Sequence, residues 1–249
     1  MSQTDAAEYP LPSAYPASFE YPVSTEPSNV PREFGLERKR LVFFQFANKP
    51  VPGWKRTFDV LVSIALAILL APLLIGIAIF IRFVSGGPVF FRQERLGEMG
   101  KDFEILKFRT LFPSTTATED HRKFVSTLSS GNQVVRKPEL AGRLIPGGKF
   151  LRGWSLDELP QLFNIIRGEM SLIGPRPDVL HWDDYEEFQL KRFEVRPGIT
   201  GLWQVSGKNS LTFDEMIRLD VEYVENRSLR LDFWIILKTI RVVLFGGNG

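Results

Sequence analysis

The apolar segment from Val60 to Ile81, with Ser63 as its single polar side chain, constrains this chain more than any other feature. As a straight helix it would run roughly 33 Å, about the hydrocarbon thickness of a bilayer. It begins too far into the chain for a secretory signal. Pro72 lies near its middle, where it removes a backbone hydrogen bond and favours a bend. Arg38, Lys39, Arg40, Lys55 and Arg56 precede the segment, and Arg82, Arg92 and Arg95 follow it. Basic flanks on both sides give no inside–outside asymmetry. The pattern predicts a helix over 55–84 that is broken at Pro72, dips into the membrane and returns to the side it left. A straight span and a buried core helix are the alternatives.

The rest of the chain divides around that segment. Residues 1–31 are rich in Pro, Ser and Ala, repeat Tyr-Pro at residues 9, 15 and 21, and carry acidic but no basic side chains. Such a stretch buries too little surface to fold and is expected to be a disordered tail, with a repeated docking motif as the alternative. Residues 32–54 form a basic and aromatic juxtamembrane segment. Residues 85–249 are expected to fold as one domain facing the cytoplasm. With the acidic tail set aside, the body is more basic than the chain's net charge of +2, which suits anionic partners. The absence of cysteine excludes disulfides, thiol catalysis and Cys-based zinc sites, and the two histidines are too far apart for a His-rich metal site. An oxygen-ligated hard cation stays open. No basic stripe interleaved with aromatics points to nucleic acid.

Within the catalytic region, 89–95 and 102–110 read as two strands around a Gly97–Gly100 turn. Helices are expected near 118–129 and over 183–193, 213–223 and 231–245, with 113–148 otherwise irregular. A short strand is expected at 171–174, and a Gly-containing loop or strand at 197–206. The fold class is therefore α+β: a mostly helical compact domain with a small antiparallel sheet, plus one N-terminal membrane helix.

The chemistry concentrates at Ser155-Leu156-Asp157-Glu158-Leu159-Pro160. Apolar Leu159, Leu162, Phe163, Ile166 and Met170 follow at helical spacing. Ser155 and Glu158 match a capping box, and Pro160 is tolerated only in a first turn, so a helix is expected to begin close to Asp157. Both carboxylates would then sit at the positive end of a helix dipole. Carboxylates repel a phosphate ester, so cations are needed. Lys107, Arg109, Arg143, Arg152, Arg176 and Arg196 are the candidates, and Pro flanks Arg176 on both sides and follows Arg196. A Mg²⁺ ion could bridge a carboxylate and a diphosphate.

Five segments in order carry a resemblance: Lys55-Arg56-Thr57-Phe58-Asp59, Lys107-Phe108-Arg109-Thr110, the run from Ser155 to Leu162, the run from Met170 to Pro177, and Arg196-Pro197-Gly198-Ile199-Thr200-Gly201. Together they resemble the bacterial sugar transferases, the monotopic phosphoglycosyl transferases that initiate exopolysaccharide or O-antigen synthesis, over roughly residues 53–245. The resemblance implies transfer of a sugar-1-phosphate from a UDP-sugar to undecaprenyl phosphate at the bacterial cytoplasmic membrane, with release of UMP. It assigns Asp157 as the nucleophile and Glu158 to Mg²⁺ or proton handling. Arg152 and Arg176 would hold phosphate or nucleotide, with Lys107, Arg109 and Arg196 as further candidates. The family often carries Ser-Pro at the helix break. Here it is Ala71-Pro72, which lacks the hydroxyl and leads us to expect a shallower bend. Direct glycosyl transfer to a lipid with release of UDP, and a non-enzymatic membrane scaffold, are the competing readings.

Overall fold

The computed structural model describes residues 51–112, 143–207 and 211–245, together with Phe43, Glu119, Arg122, Lys123 and 125–127. The expected tail, the Arg38–Arg40 cluster and most of the expected helix near 118–129 lie outside the described residues.

The apolar segment forms two helices, α1 (Gly53–Leu69) and α2 (Ala71–Ser85), bent by 63°. Leu70 is the hinge, and Pro72 sits in the first turn of α2, where its missing N–H costs nothing. The break expected at Pro72 is therefore present, with an alanine before the proline. Tertiary ties to α1 help hold its direction. Lys55, buried, lies 2.9 Å from Asp232 and 3.6 Å from Asp59. Asp59 in turn accepts from Ser171 Oγ at 2.6 Å.

β1 (Phe90–Leu96) and β2 (Asp102–Phe108) form the expected antiparallel hairpin. Its turn takes positive φ at Met99 and Gly100. Next among the described elements come α3 (Gly148–Gly153), a 3₁₀ turn over Leu156–Glu158, and α4 (Gln161–Arg167). The helix after the carboxylates is thus shorter and later than expected. It begins at Gln161 and stops at Gly168, whose φ of 94° is a left-handed cap. Met170 lies beyond it, fully buried.

The sheet expectation also needs correcting. β3 (Ser171–Ile173) and β4 (Gly198–Thr200) form a second, parallel pair. The strand expected at 171–174 and the loop or strand expected at 197–206 are borne out; their parallel pairing was not foreseen. Here the glycines are demanded by close backbone approach. A Cβ on Gly198 would lie 2.1 Å from the Gly174 nitrogen, and one on Gly201 would lie 2.4 Å from the Gly174 oxygen. Residues expected as a helix over 183–193 form 3₁₀ turns at Trp182–Asp184 and Glu187–Glu194. α5 (Leu202–Val205) leads on to α6 (Phe213–Asn226), which opens with a capping box between Thr212 and Glu215. α7 (Leu229–Phe245) closes the described chain. One core gathers Trp182, Tyr185, Phe193 and the inner face of α6, and another sets α7 against β3. A third packs α2 against Phe108 and Leu151, with Leu156 and Leu159 at its margin.

Candidate functional site

α4 is pinned before the site can be. Asn164 Oδ1 accepts from the Leu106 amide at 3.0 Å, and Nδ2 donates at 2.7 Å to both the Glu104 carbonyl and the Glu169 carboxylate. One side chain thereby satisfies backbone groups on the free edge of β2. At the other end of α4, Arg56 from α1 donates to the Ile165 and Ile166 carbonyls at 2.6 and 3.1 Å, groups left open by helix termination. The helix is fixed between α1 and the hairpin, and the turn preceding it is fixed too.

That turn holds the two carboxylates, and its local structure departs from a capping box. Ser155 takes a φ of 55° and its side chain makes no cap hydrogen bond. Glu158 turns instead toward two cations. Lys107 Nζ from β2 lies 3.2 Å from Glu158 Oε1. Arg176 donates to both carboxylate oxygens, Nη1 to Oε2 at 3.1 Å and Nη2 to Oε1. A forked guanidinium on a carboxylate outweighs the weaker backbone cap, which is why the local motif loses. Both cations hold the Glu158 carboxyl well below its usual range, against the effect of burial.

Asp157 is buried and makes no hydrogen bond or ion pair with the described residues. Burial first, then the adjacent Glu158 charge, push its carboxyl above the ordinary aspartate value, while Lys107, Arg152 and Arg176 pull it back. The two neighbouring acids are therefore driven apart: one with lowered proton affinity and gripped by cations, the other with raised proton affinity and no such partner among the described residues. Such a split marks groups with different chemical tasks.

Of the residues read from sequence, these converge: Asp157, Glu158, Lys107, Arg176 and, through its charge on Asp157, Arg152. Arg109 and Arg196 do not join them. Arg109 is buried against Gly87 and donates to Ser85 Oγ at 2.5 Å, bracing the end of α2. Arg196 pairs with Glu98 at 3.3 Å. Asn164 and Arg56 were missed as positioning groups. The only signal was a polar residue interrupting the apolar face of α4, and a basic residue where an apolar helix begins.

Among the described residues there is no group of three or more acidic or histidine side chains that could cage a metal. With both Glu158 oxygens bonded to cations, Asp157 is the open oxygen donor. A single carboxylate completed by phosphate oxygens and waters is a set that Mg²⁺ accepts, so the residues fit that ion alongside a diphosphate.

An open apolar groove of ≈ 310 Å³ lies in the elbow of α1 and α2, lined by Ile64, Ile68, Leu74, Ile75, Phe163 and Ile166 among others. The last two belong to α4, so the groove adjoins the helix that follows the carboxylates. No described helix is by itself long and apolar enough to cross a membrane, but the α1–α2 pair passes that test together.

Residues 51–246 match the family described as bacterial sugar transferase. The chain is 41% identical over 203 residues to the exopolysaccharide production protein ExoY of Sinorhizobium fredii, covering 79% of this chain and 88% of that protein. It is 37% identical over 202 residues to the undecaprenyl-phosphate galactose phosphotransferase of Salmonella typhimurium, covering 76% of this chain and 40% of that protein. It is 38% identical over 218 residues to the undecaprenyl-phosphate glucose phosphotransferase of Komagataeibacter xylinus, covering 80% and 38%.

Proposed function

This chain belongs to the bacterial sugar transferase family, and we propose that it transfers a sugar-1-phosphate from a UDP-sugar to undecaprenyl phosphate, as a membrane-bound initiating enzyme of exopolysaccharide or O-antigen synthesis. The relatives named as undecaprenyl-phosphate galactose and glucose phosphotransferases support the reaction class. The observation that carries the mechanism is the unequal carboxylate pair, Glu158 held by two cations beside a free Asp157.

In the first step a carboxylate oxygen of Asp157 attacks the sugar-bearing phosphorus of the donor. The bond from that phosphorus to the bridging oxygen breaks, and UMP leaves with the electron pair. In the second, a phosphate oxygen of undecaprenyl phosphate attacks the same phosphorus and Asp157 departs as carboxylate. Two easy displacements replace one difficult one. Lys107 and Arg176, preorganised on Glu158, offer positive charge to the diphosphate as it enters. Their desolvated setting makes that charge count. As they shift toward phosphate, Glu158 is released to accept a proton or to join Asp157 in holding Mg²⁺. The ion, when bound, would neutralise charge on the diphosphate. Arg152 adds a further positive field at Asp157.

The acceptor's phosphate stays at the headgroup level, so the site must lie at that plane. The bent α1–α2 pair, inserted as a re-entrant element from the cytoplasmic face, would hold it there. Phe233, Leu237, Ile240 and Leu244 form an exposed stripe on α7 that suits the interface beside it. The apolar elbow groove suits the start of an isoprenoid chain.

Identifying the released nucleotide in purified enzyme given UDP-sugar and undecaprenyl phosphate tests this reading. UMP is expected. UDP would indicate direct glycosyl transfer, and no nucleotide release would leave a scaffold.

A further inference from the structure

The loop Pro175-Arg176-Pro177 delivers the arginine that grips Glu158, and two buried arginines hold that loop by its backbone. Arg192 donates through Nη2 to the Arg176 carbonyl at 2.6 Å. Arg95 donates through Nη1 to the Pro177 carbonyl at 3.1 Å. Both are nearly inaccessible, at 4% and 7% exposure. Each is held in turn from behind. Arg192 Nη2 also donates to Asp220 on α6 at 2.7 Å, its Nη1 donates to the Tyr185 hydroxyl at 3.3 Å, and Asp178 stands 4.0 Å away. Arg95 Nη2 donates to Gln93 Oε1 at 2.6 Å.

Burying two guanidinium groups is costly, and apolar residues of similar size commonly stabilise a fold as well or better. A purely structural account leaves unexplained why both arginines reach consecutive carbonyls of one loop, and why that loop carries a site residue. The start of the loop is held as well, since the Gly198 amide donates to the Pro175 carbonyl at 2.8 Å. Three consecutive carbonyls, those of Pro175, Arg176 and Pro177, are thus each engaged. With proline fixing φ on either side, the Arg176 backbone has little freedom.

We propose that Arg192 and Arg95 are positioning residues for the transfer reaction, acting through Arg176 by fixing the backbone from which its guanidinium reaches the Glu158 clamp and the incoming phosphate. Asp220 orients Arg192 for that task. The inference rests on the function proposed above. Neither arginine pairs with Asp157 or Glu158. A shift of about 1 Å in the loop would move the guanidinium out of its forked geometry, and displacements of that size cost catalysis heavily.

The test is a double-mutant cycle on the full-length enzyme, with Arg192→Lys, Arg176→Ala and the pair. Lysine keeps the charge but cannot serve Asp220, Tyr185 and the Arg176 carbonyl in one planar fork. Two quantities are read: kcat/KM for UMP release, and UDP-sugar affinity by calorimetry. Arg192→Lys is expected to lower both by about tenfold, the scale of one charge-assisted hydrogen bond, in the native background. In the Arg176→Ala background it should change them less than about twofold. Equal factors in both backgrounds would overturn the proposal, because a merely structural residue weakens the protein whatever stands at 176. Should Arg192→Lys fail to fold, Asp220→Asn and Arg95→Lys enter the same cycle with the same two outcomes. An enzyme that binds the donor but releases no UMP would sink the function and leave the affinity cycle to judge the brace.

Discussion

Asp157 and Glu158 are chemically similar neighbours placed in opposite situations, and the difference is set by Lys107 on β2 and Arg176 in the loop after β3, which both grip Glu158. Removing the Glu158 charge should therefore be felt at Asp157. On the proposed mechanism donor loading uses ionised Asp157, so its rate should fall as pH drops through a pKa above the ordinary aspartate value, and Glu158→Gln should move that fall to lower pH. A pre-steady-state pH profile of UMP release measures both; an unmoved profile would mean that the two acids do not interact. Glu158 also links pH to stability. Its folded pKa is depressed below the ordinary 4.5, so its contribution is present above that value and is lost as pH falls through the lower folded one. Acid unfolding followed by circular dichroism should start at higher pH in Lys107→Met, which weakens the depression. The carboxylate pair and its cations were legible in the sequence because like charges beside phosphate chemistry need countercharge. What Glu158 does was not legible, because a capping box and an arginine clamp use the same residue, and only the fold brings Arg176 within reach.

Elements are positioned here by single side chains that tie them together. Asn164 satisfies an edge amide and an edge carbonyl of β2, and leaving both unpaired should cost about 2–4 kcal/mol. Asn164→Ala should therefore lower the denaturation midpoint clearly. Because α4 carries the turn before it, UMP release should fall as well, even though Asn164 makes no contact with the carboxylates. Gly198→Ala should fail to accumulate as folded protein, as its Cβ would overlap the Gly174 backbone. Expression with a solubility screen measures this, and normal yield would contradict the close approach. The hairpin and the two long C-terminal helices were readable from alternation and periodicity. The parallel β3–β4 pair was not, since its register is written in glycines whose reason is a strand distant in sequence. Likewise, Arg109 reads as a site cation in Lys107-Phe108-Arg109, but β2 ends at Phe108 and Arg109 instead donates to Ser85 at the end of α2.

At the scale of the molecule, a sharply bent apolar pair packs beside the turn that carries Asp157 and Glu158. Leu156 and Leu159, flanking the carboxylates, lie against the cluster built on α2, so that insertion of the bent pair into a bilayer would set the height of the carboxylates as well. If α1 and α2 enter and leave by the same face, a tag at residue 2 should be protected from external protease in intact cells, with the C-terminus cytoplasmic. Cleavage there would mean a span. The account as a whole stands on a covalent link between enzyme and substrate. Mass spectrometry of the enzyme mixed with UDP-sugar alone should find a sugar-phosphate added at Asp157, absent from Asp157→Asn. Normal turnover with no adduct at that carboxylate would contradict it.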